Sequence, residues 1–303
     1  MKKIALVTFL LYSTLLANPI APIPLDVKVD TQKAKLGKAL FFDPILSLDG
    51  TISCATCHDI ENGGDDGLRV SFGIKGREGN INSPTVLNAR FNFVQFWDGR
   101  AKDLKKQALG PIQNHVEMNN NFKNLIKTLN NSHYKEKFEK IYKNGITKEN
   151  IVDAIAEYEM TLITPNSRFD KFLRGDKEAL SELEKKGYEI FKQKGCIACH
   201  NGINIGGNMF AKFGFFKGVV SGNLGRYNVT KDEDDKYVFK VPTLRNIALT
   251  SPYMHDGRFD RLEDAVEFMM SFQLGEGTSE EEVRLIVEFL KSLNGEVYDF
   301  ETN

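Results

Sequence analysis

The chain has few of the residues that usually announce chemistry: four cysteines, five histidines and one tryptophan among 303 residues. So few cysteines exclude a small disulfide-stapled scaffold. An excess of charge of either sign is also missing. With 40 basic residues against 41 acidic ones, the net charge is −1, which excludes the broad positive surface that nucleic-acid binding requires. Any charged docking surface is therefore local. Strand signals are sparse, and one apolar run stands out, Ile4 to Leu16 behind Lys2 and Lys3. It has the layout of a secretory signal, and its apolar core is too short to span a bilayer comfortably. Residues 1–17 are therefore expected to be removed near Ala17, leaving an exported, periplasmic protein with no stable membrane span.

What is there begins with where the cysteines fall. All four are used in two copies of one pattern, Cys54-Ala55-Thr56-Cys57-His58 and Cys196-Ile197-Ala198-Cys199-His200. Two thiols separated by two residues can form thioether bonds to the two vinyl groups of a haem, while the following histidine turns inward to the iron. A redox dithiol would instead sit behind a strand in a βαβ unit, and a zinc site would have to pool ligands from two distant halves. Two covalently bound haem c groups and no disulfide are expected. The exported location suits them, since the same cysteines left empty there would tend to oxidise.

The length allows two domains, each with its own core, and the periodicity is mainly α. Leu36, Leu40 and Phe41 mark a short helix ending before Pro44. The first motif then follows in a loop, and Gly63 to Gly79 reads as irregular, glycine-rich backbone able to approach a haem closely. Ser83-Pro84 is expected to open a short helix through Asn88. Two helical stripes follow, through Phe122–Leu129 and Tyr134–Tyr142, parted at Asn130-Asn131-Ser132. Thr147 caps a helix carrying Ile151, Ala154, Ile155, Tyr158 and Leu162, with Pro165 past its end. A domain boundary is placed there, giving halves 18–165 and 166–303, one haem each. In the second half, Leu180, Leu183, Gly187 and Phe191 lead into Cys196, and Gly202 to Gly225 is irregular. Leu262, Ala265, Val266 and Met269 share one helical face. Val283, Ile286, Val287 and Leu290 share another, on a helix with Thr278 and Glu281 at capping-box spacing.

A haem iron with one histidine keeps a second axial position, and its occupant decides between electron transfer and chemistry. His115, His133, His255 and the seven methionines are the remaining candidates. Three further stretches carry a resemblance: Gln95-Phe96-Trp97-Asp98-Gly99-Arg100, the run from Gly110 to Met118, and Tyr253-Met254-His255-Asp256-Gly257 with Leu262-Glu263-Asp264-Ala265-Val266. In order and spacing, from about Lys38 to Leu290, the chain resembles the bacterial di-haem cytochrome c peroxidases.

That resemblance implies reduction of hydrogen peroxide with electrons from a small cytochrome c or a copper protein, and a homodimer. It implies that His58 ligates a peroxidatic haem and His200 an electron-accepting one, with Met269 as the sixth ligand of the second. Met269 also lies on an apolar stripe where a core methionine would be ordinary, and Met254 and Met270 compete with it. Glu117 matches the family's acid/base and Gln107 a polar partner beside it. Without the match, Glu117 would read as a solvated loop glutamate. Trp97 matches an aromatic between the haems, and packing alone would also account for it. Asn82, Thr250 and Pro252 match the ligands of a calcium ion, whose preference for oxygen they satisfy. Arg245 and His255 match polar positions near the second haem, and His255 could equally be a hydrogen-bonded structural histidine.

The chain departs from the pattern at one position. Many members carry a histidine in the glycine-rich loop that caps the oxidised peroxidatic iron; here the matching residue, 23 before Trp97, is Ile74. The first haem is therefore expected to be open or water-filled at its distal side without prior reduction, His115 being the one alternative cap. Related di-haem oxidases that mature a protein cofactor resemble the chain too, but have tyrosine where Met269 stands. A non-catalytic electron carrier or haem-based sensor is the reading from outside enzymes.

Overall fold

Asp30 starts the folded core: its carboxylate accepts from the backbone N–H groups of Gln32 and Lys33, satisfying donors that the first turn of a helix leaves free. The computed structural model describes residues 18–219, 221–277, 279–298, 300 and 301. The expected signal segment, 1–17, lies outside the described residues. Helix α1 (Thr31–Phe42) follows Asp30, and α2 (Leu104–Gln113), α3 (Phe122–Asn130), α4 (Tyr134–Ile141) and α5 (Lys148–Glu159) complete the first half. In the second half come α6 (Arg168–Leu173), α7 (Glu182–Gln193), α8 (Tyr227–Thr230), α9 (Leu262–Phe268) and α10 (Glu280–Lys291). Strands β1 (Phe210–Lys212) and β2 (Val238–Lys240) pair antiparallel with Phe210 opposite Lys240. The protein is thus mainly α, as the periodicity implies.

The same packing device recurs in both halves. Helix α1 lies so close on α5 that a Cβ at Gly37 would sit 1.8 Å from the Ala154 carbonyl oxygen. Likewise α7 lies on α10, and a Cβ at Gly187 would sit 1.9 Å from the Leu285 carbonyl oxygen. Each crossing is sealed by its own apolar core. Leu36, Leu40, Ile112, Leu125, Phe138 and Ile155 fill the first. Phe169, Tyr188, Phe191, Ile286, Phe289 and Leu290 fill the second.

The ends of the described segment cross between these cores. Ile20 is buried in the second core and bridges to Gly202. Val297 and Phe300 pack on the cluster of Phe41, Tyr158 and Leu162 in the first half. Arg245 ties the arrangement: fully buried, it pairs with Asp170 at 2.8 Å and donates to the carbonyls of Ala21 and Ile203. A buried charge is tolerated because it is paired and its remaining donors are used.

Four local expectations are corrected. Residues 83–88 are not helical: Thr85 Oγ donates to the Gly63 carbonyl and the Val86 N–H to Gly64, so the segment is bound to the glycine-rich loop rather than to itself. Asn88 then turns in the left-handed region at φ 61°. Helix α5 stops at Glu159, so Leu162 lies beyond it. Helix α2 arises over a stretch that periodicity left unassigned, capped by Asp103 and continuing through Pro111. Thr278 lies outside the described residues; the capping box of α10 is formed one position later, by Ser279 and Glu282.

Candidate haem centres

Both motifs are short 3₁₀ turns, and both histidines are oriented alike. The Cys54–Thr56 turn is held by Ser53, whose N–H donates to Thr56 Oγ at 3.0 Å. The Cys196–Ala198 turn follows Gly195 at φ 84°, a conformation that glycine adopts without strain. The His58 Nδ1–H donates to the Gly64 carbonyl at 3.0 Å, and His200 Nδ1 lies 3.4 Å from the Ile205 carbonyl. Such a bond fixes the tautomer and leaves Nε2 for a metal. Burial lowers both histidine pKa values, that of His200 to about 4, so both rings are held neutral, the form that a metal requires. The four thiols are unpaired.

Around His200 the fold opens two neighbouring cavities. Cys199, His200, Trp97, Met254 and Met269 line both, and Cys196 lines the larger. The space, the thiols on one wall and the neutral imidazole fit a covalently held porphyrin. Of the methionines expected to compete, Met270 is buried against the larger cavity alone, whereas Met254 and Met269 both face the two. Met269 opens a π-helical turn, Met269–Leu274, at the end of α9. Met269 keeps its place on the stripe with Leu262, Ala265 and Val266, all of which line the larger cavity, and such bulges are frequent at functional positions.

Trp97 is held at both its polar groups. Its indole N–H donates to the Asn82 carbonyl at 3.0 Å, and its own carbonyl accepts from the Lys240 N–H at 2.8 Å. The ring of His255 lies 6.2 Å from that of Trp97, stacks on Phe239 at 4.1 Å and bonds Ser221 Oγ through Nε2 at 2.7 Å. His255 lines the smaller cavity but is a packed, hydrogen-bonded ring, with its pKa lowered to about 4 by burial. Arg245, by contrast, serves the buried pair with Asp170 and does not line either cavity.

On the side of the first motif, Glu117 sits in the turn after α2. Burial raises its pKa, while the amide of Asn114, donating to Oε1 at 2.5 Å, and the positive charge of Arg100 oppose the rise. The negative charge of Glu117 in turn helps raise the Cys54 and Cys57 thiols, which places it in electrostatic reach of that motif. Asn114 and Arg100 are neighbours of Glu117 that pattern reading missed, although Asn-x-x-Glu is an ordinary turn signal. Arg100 lies 3.5 Å over the Phe96 ring, and that ring would meet a Cβ at Gly110 in α2. Gln107 is half-buried on α2, one helix away from Glu117 along the same segment.

Ile74 is 1 % exposed, and its N–H donates to the Glu117 carbonyl at 2.8 Å. A Cβ at the preceding Gly73 would lie 2.0 Å from the Val116 carbonyl oxygen, so the glycine-rich loop rests backbone to backbone on the Glu117 turn. His115 is exposed and its carbonyl accepts from Arg77. Asn82, Thr250 and Pro252 all line the larger cavity. The Asn82 amide N–H₂ is used on the Leu68 carbonyl at 2.9 Å, so its oxygen is the group left for a cation. Among the described residues no three His, Cys, Asp or Glu side chains form a metal cluster, and no helix is long and apolar enough to cross a membrane. Sequence reading also missed two buried carboxyls, Asp65 and Glu159, the latter with Oε2 left without a hydrogen-bond partner among the described residues; burial raises them to about 6 and about 8.

Comparison with known proteins gives this geometry a family. Residues 31–178 match the model of the di-haem cytochrome c peroxidases and residues 184–294 that of cytochrome c. The chain is 49% identical to cytochrome c551 peroxidase of Nitrosomonas europaea, over 93% of this chain and 86% of the relative. It is also 49% identical to cytochrome c peroxidase Ccp of Escherichia coli, over 92% of this chain and 61% of that longer relative. Methylamine utilization protein MauG of Methylophilus methylotrophus is more distant, at 33% identity over 82% of this chain and 76% of the relative. Among solved structures, a MauG-like protein associated with microbial copper homeostasis superposes with a TM-score of 0.81 at 25% identity, covering 96% of this chain and 98% of that one. The paired motifs, their two cores and these likenesses lead to one conclusion: the chain belongs to the di-haem cytochrome c peroxidase family and carries that family's cofactor, two haem c.

Proposed function

We propose that the protein reduces hydrogen peroxide to two waters in the periplasm, taking electrons singly from a small cytochrome c or a copper protein. The observation that carries this reading is Glu117, a carboxyl raised by burial, bonded by Asn114 and in electrostatic reach of the first motif. Each haem supplies one-electron iron chemistry where it is bound. Cys54, Cys57 and His58 hold the first, in the half 18–165. Cys196, Cys199, His200 and Met269 hold the second, in the half 166–303.

Reduction consumes two electrons and two protons for each peroxide. A proton must leave one peroxide oxygen and reach the other, and Glu117 is the group that takes it and returns it. A carboxyl whose pKa is raised toward the working pH does both steps better than one at the ordinary value. Asn114 holds Oε1 in place, and Gln107 orients peroxide. Trp97, pinned between Asn82 and Lys240, stands on the path from the second motif to the first. Asn82, with the carbonyls of Thr250 and Pro252, holds a calcium ion that keeps this path in place. Met269 favours the peroxidase over the cofactor-maturing oxidases, in which tyrosine stands at that position.

The test is an assay of the purified two-haem protein with peroxide and a reduced donor. Glu117→Gln should lower turnover by a factor of about 10²–10⁴, the usual worth of a general acid/base, with both haem spectra intact. A retained rate would remove Glu117 from the reaction.

A further inference from the structure

Lys240 is a cation with no partner for its ammonium among the described residues. It is 6 % exposed, and among the described residues its ammonium makes no hydrogen bond and no ion pair. Burial alone moves its pKa, down to about 8, with no carboxylate contributing. An isolated charge in such a place costs several kcal/mol unless an anion meets it. Arg245, a fully buried cation of this half, has its anion in Asp170.

The position of Lys240 shows where an anion would come from. On β2 the neighbouring Phe239 turns to stack on His255, and side chains alternate along a strand. Lys240, the next residue on that strand, lines both cavities together with Trp97, His200 and Met269, and Phe239 and His255 line the smaller one beside it. Its backbone N–H meanwhile binds the Trp97 carbonyl. A haem c brings two carboxylates into a cavity that otherwise shows apolar walls and no acidic side chain.

We propose that the Lys240 ammonium is the counter-ion of a porphyrin carboxylate in the second haem site, and that its charge raises the reduction potential of that haem. The inference rests on the two-haem reading and adds a residue to it. Lys240 is a positioning residue, acting through the porphyrin rather than on peroxide. A fixed positive charge in a water-poor site favours the reduced, more electron-rich state, which suits a haem that collects electrons. The same ion pair would fix the haem edge next to Trp97.

The experiment is a redox titration of the holoprotein followed by the visible bands of the second haem. Wild type is compared with Lys240→Met, Lys240→Gln and Lys240→Arg. Loss of charge should make reduction of that haem at least tenfold less favourable, about 59 mV for one electron, with two haems still bound and the axial-ligand bands unchanged. Lys240→Arg should stay within about threefold of wild type, a ratio small beside the tenfold criterion. An unshifted potential in Lys240→Met and Lys240→Gln overturns the proposal. So does a change of axial-ligand bands, which would make Lys240 itself an iron ligand. A wild-type potential that follows exchange of chloride for sulfate as far as the Met variant shifts would assign the charge to a soluble anion, and also overturns it. If the neutral variants fail to load the second haem while the Arg variant loads it, the ion pair stands; failure of all three overturns it. Wild-type protein with fewer than two haems would instead sink the two-haem reading itself.

Discussion

At the scale of single residues, the first centre is defined by what stands near Glu117. Ile74 occupies the loop that rests on the Glu117 backbone, and an aliphatic side chain offers no lone pair to iron. The fully oxidised protein should therefore give no bis-histidine low-spin electron paramagnetic resonance signal from the first haem, and peroxide turnover should begin without prior reduction. A bis-histidine signal would show that another histidine reaches that iron, against the exposed position of His115. Glu159 allows a separate test through pH. Burial raises its pKa from 4.5 to about 8, so the folded state holds a proton there that the unfolded chain releases above 4.5. Its contribution is harmless below pH 4.5 and becomes a growing penalty as pH rises toward 8. Glu159→Gln should leave stability unchanged at pH 4 and raise it increasingly up to pH 8, as read from urea midpoints. An equal effect at both pH values would show that its charge is compensated.

At the scale of elements, two helix crossings decide whether each motif is presented at all. Helix α1 leads toward Cys54 and α7 directly into Cys196, and each is pressed on its partner at one glycine. Gly37→Ala or Gly187→Ala drives a methyl into a carbonyl oxygen, and overpacking of this kind costs about 1–3 kcal/mol or more. Thermal unfolding should show a lowered midpoint for either variant. Helix propensity alone predicts the opposite sign, because alanine is the better helix former. The result therefore separates packing from propensity. Helix α9 presents Leu262, Ala265, Val266 and Met269 to the larger cavity on one stripe, and the π-helical turn that starts at Met269 adds Met270, Gln273 and Leu274 to its lining.

At the scale of the whole molecule, the two halves are bound by crossing ends and by Arg245. Removing the guanidinium in Arg245→Met strands the fully buried Asp170, which should cost about 3–5 kcal/mol. Denaturant titration reads that loss directly. Because Arg245 also holds the Ala21 carbonyl, residues 18–23 should become protease-sensitive in the same variant. Asn82, Thr250 and Pro252 come from both halves onto one cavity wall. If they hold calcium, chelation should lower the thermal midpoint of wild type and leave Asn82→Ala unmoved.

The sequence by itself determined the features that are local in the chain. Two Cys-x-x-Cys-His motifs fix both attachment points because thiols and ligand are neighbours in the chain, and the cap at Thr147 fixes a helix start because capping is a matter of three residues. The mainly α class followed from period alone. The tertiary structure decided what depends on distance in space. It brought Arg100 to Glu117, laid Ile74 on the same turn, crossed the described chain ends between the cores and set Lys240 against the second cavity without an anion of its own. No spacing encodes these, because desolvation and charge act through space between segments that the chain keeps far apart.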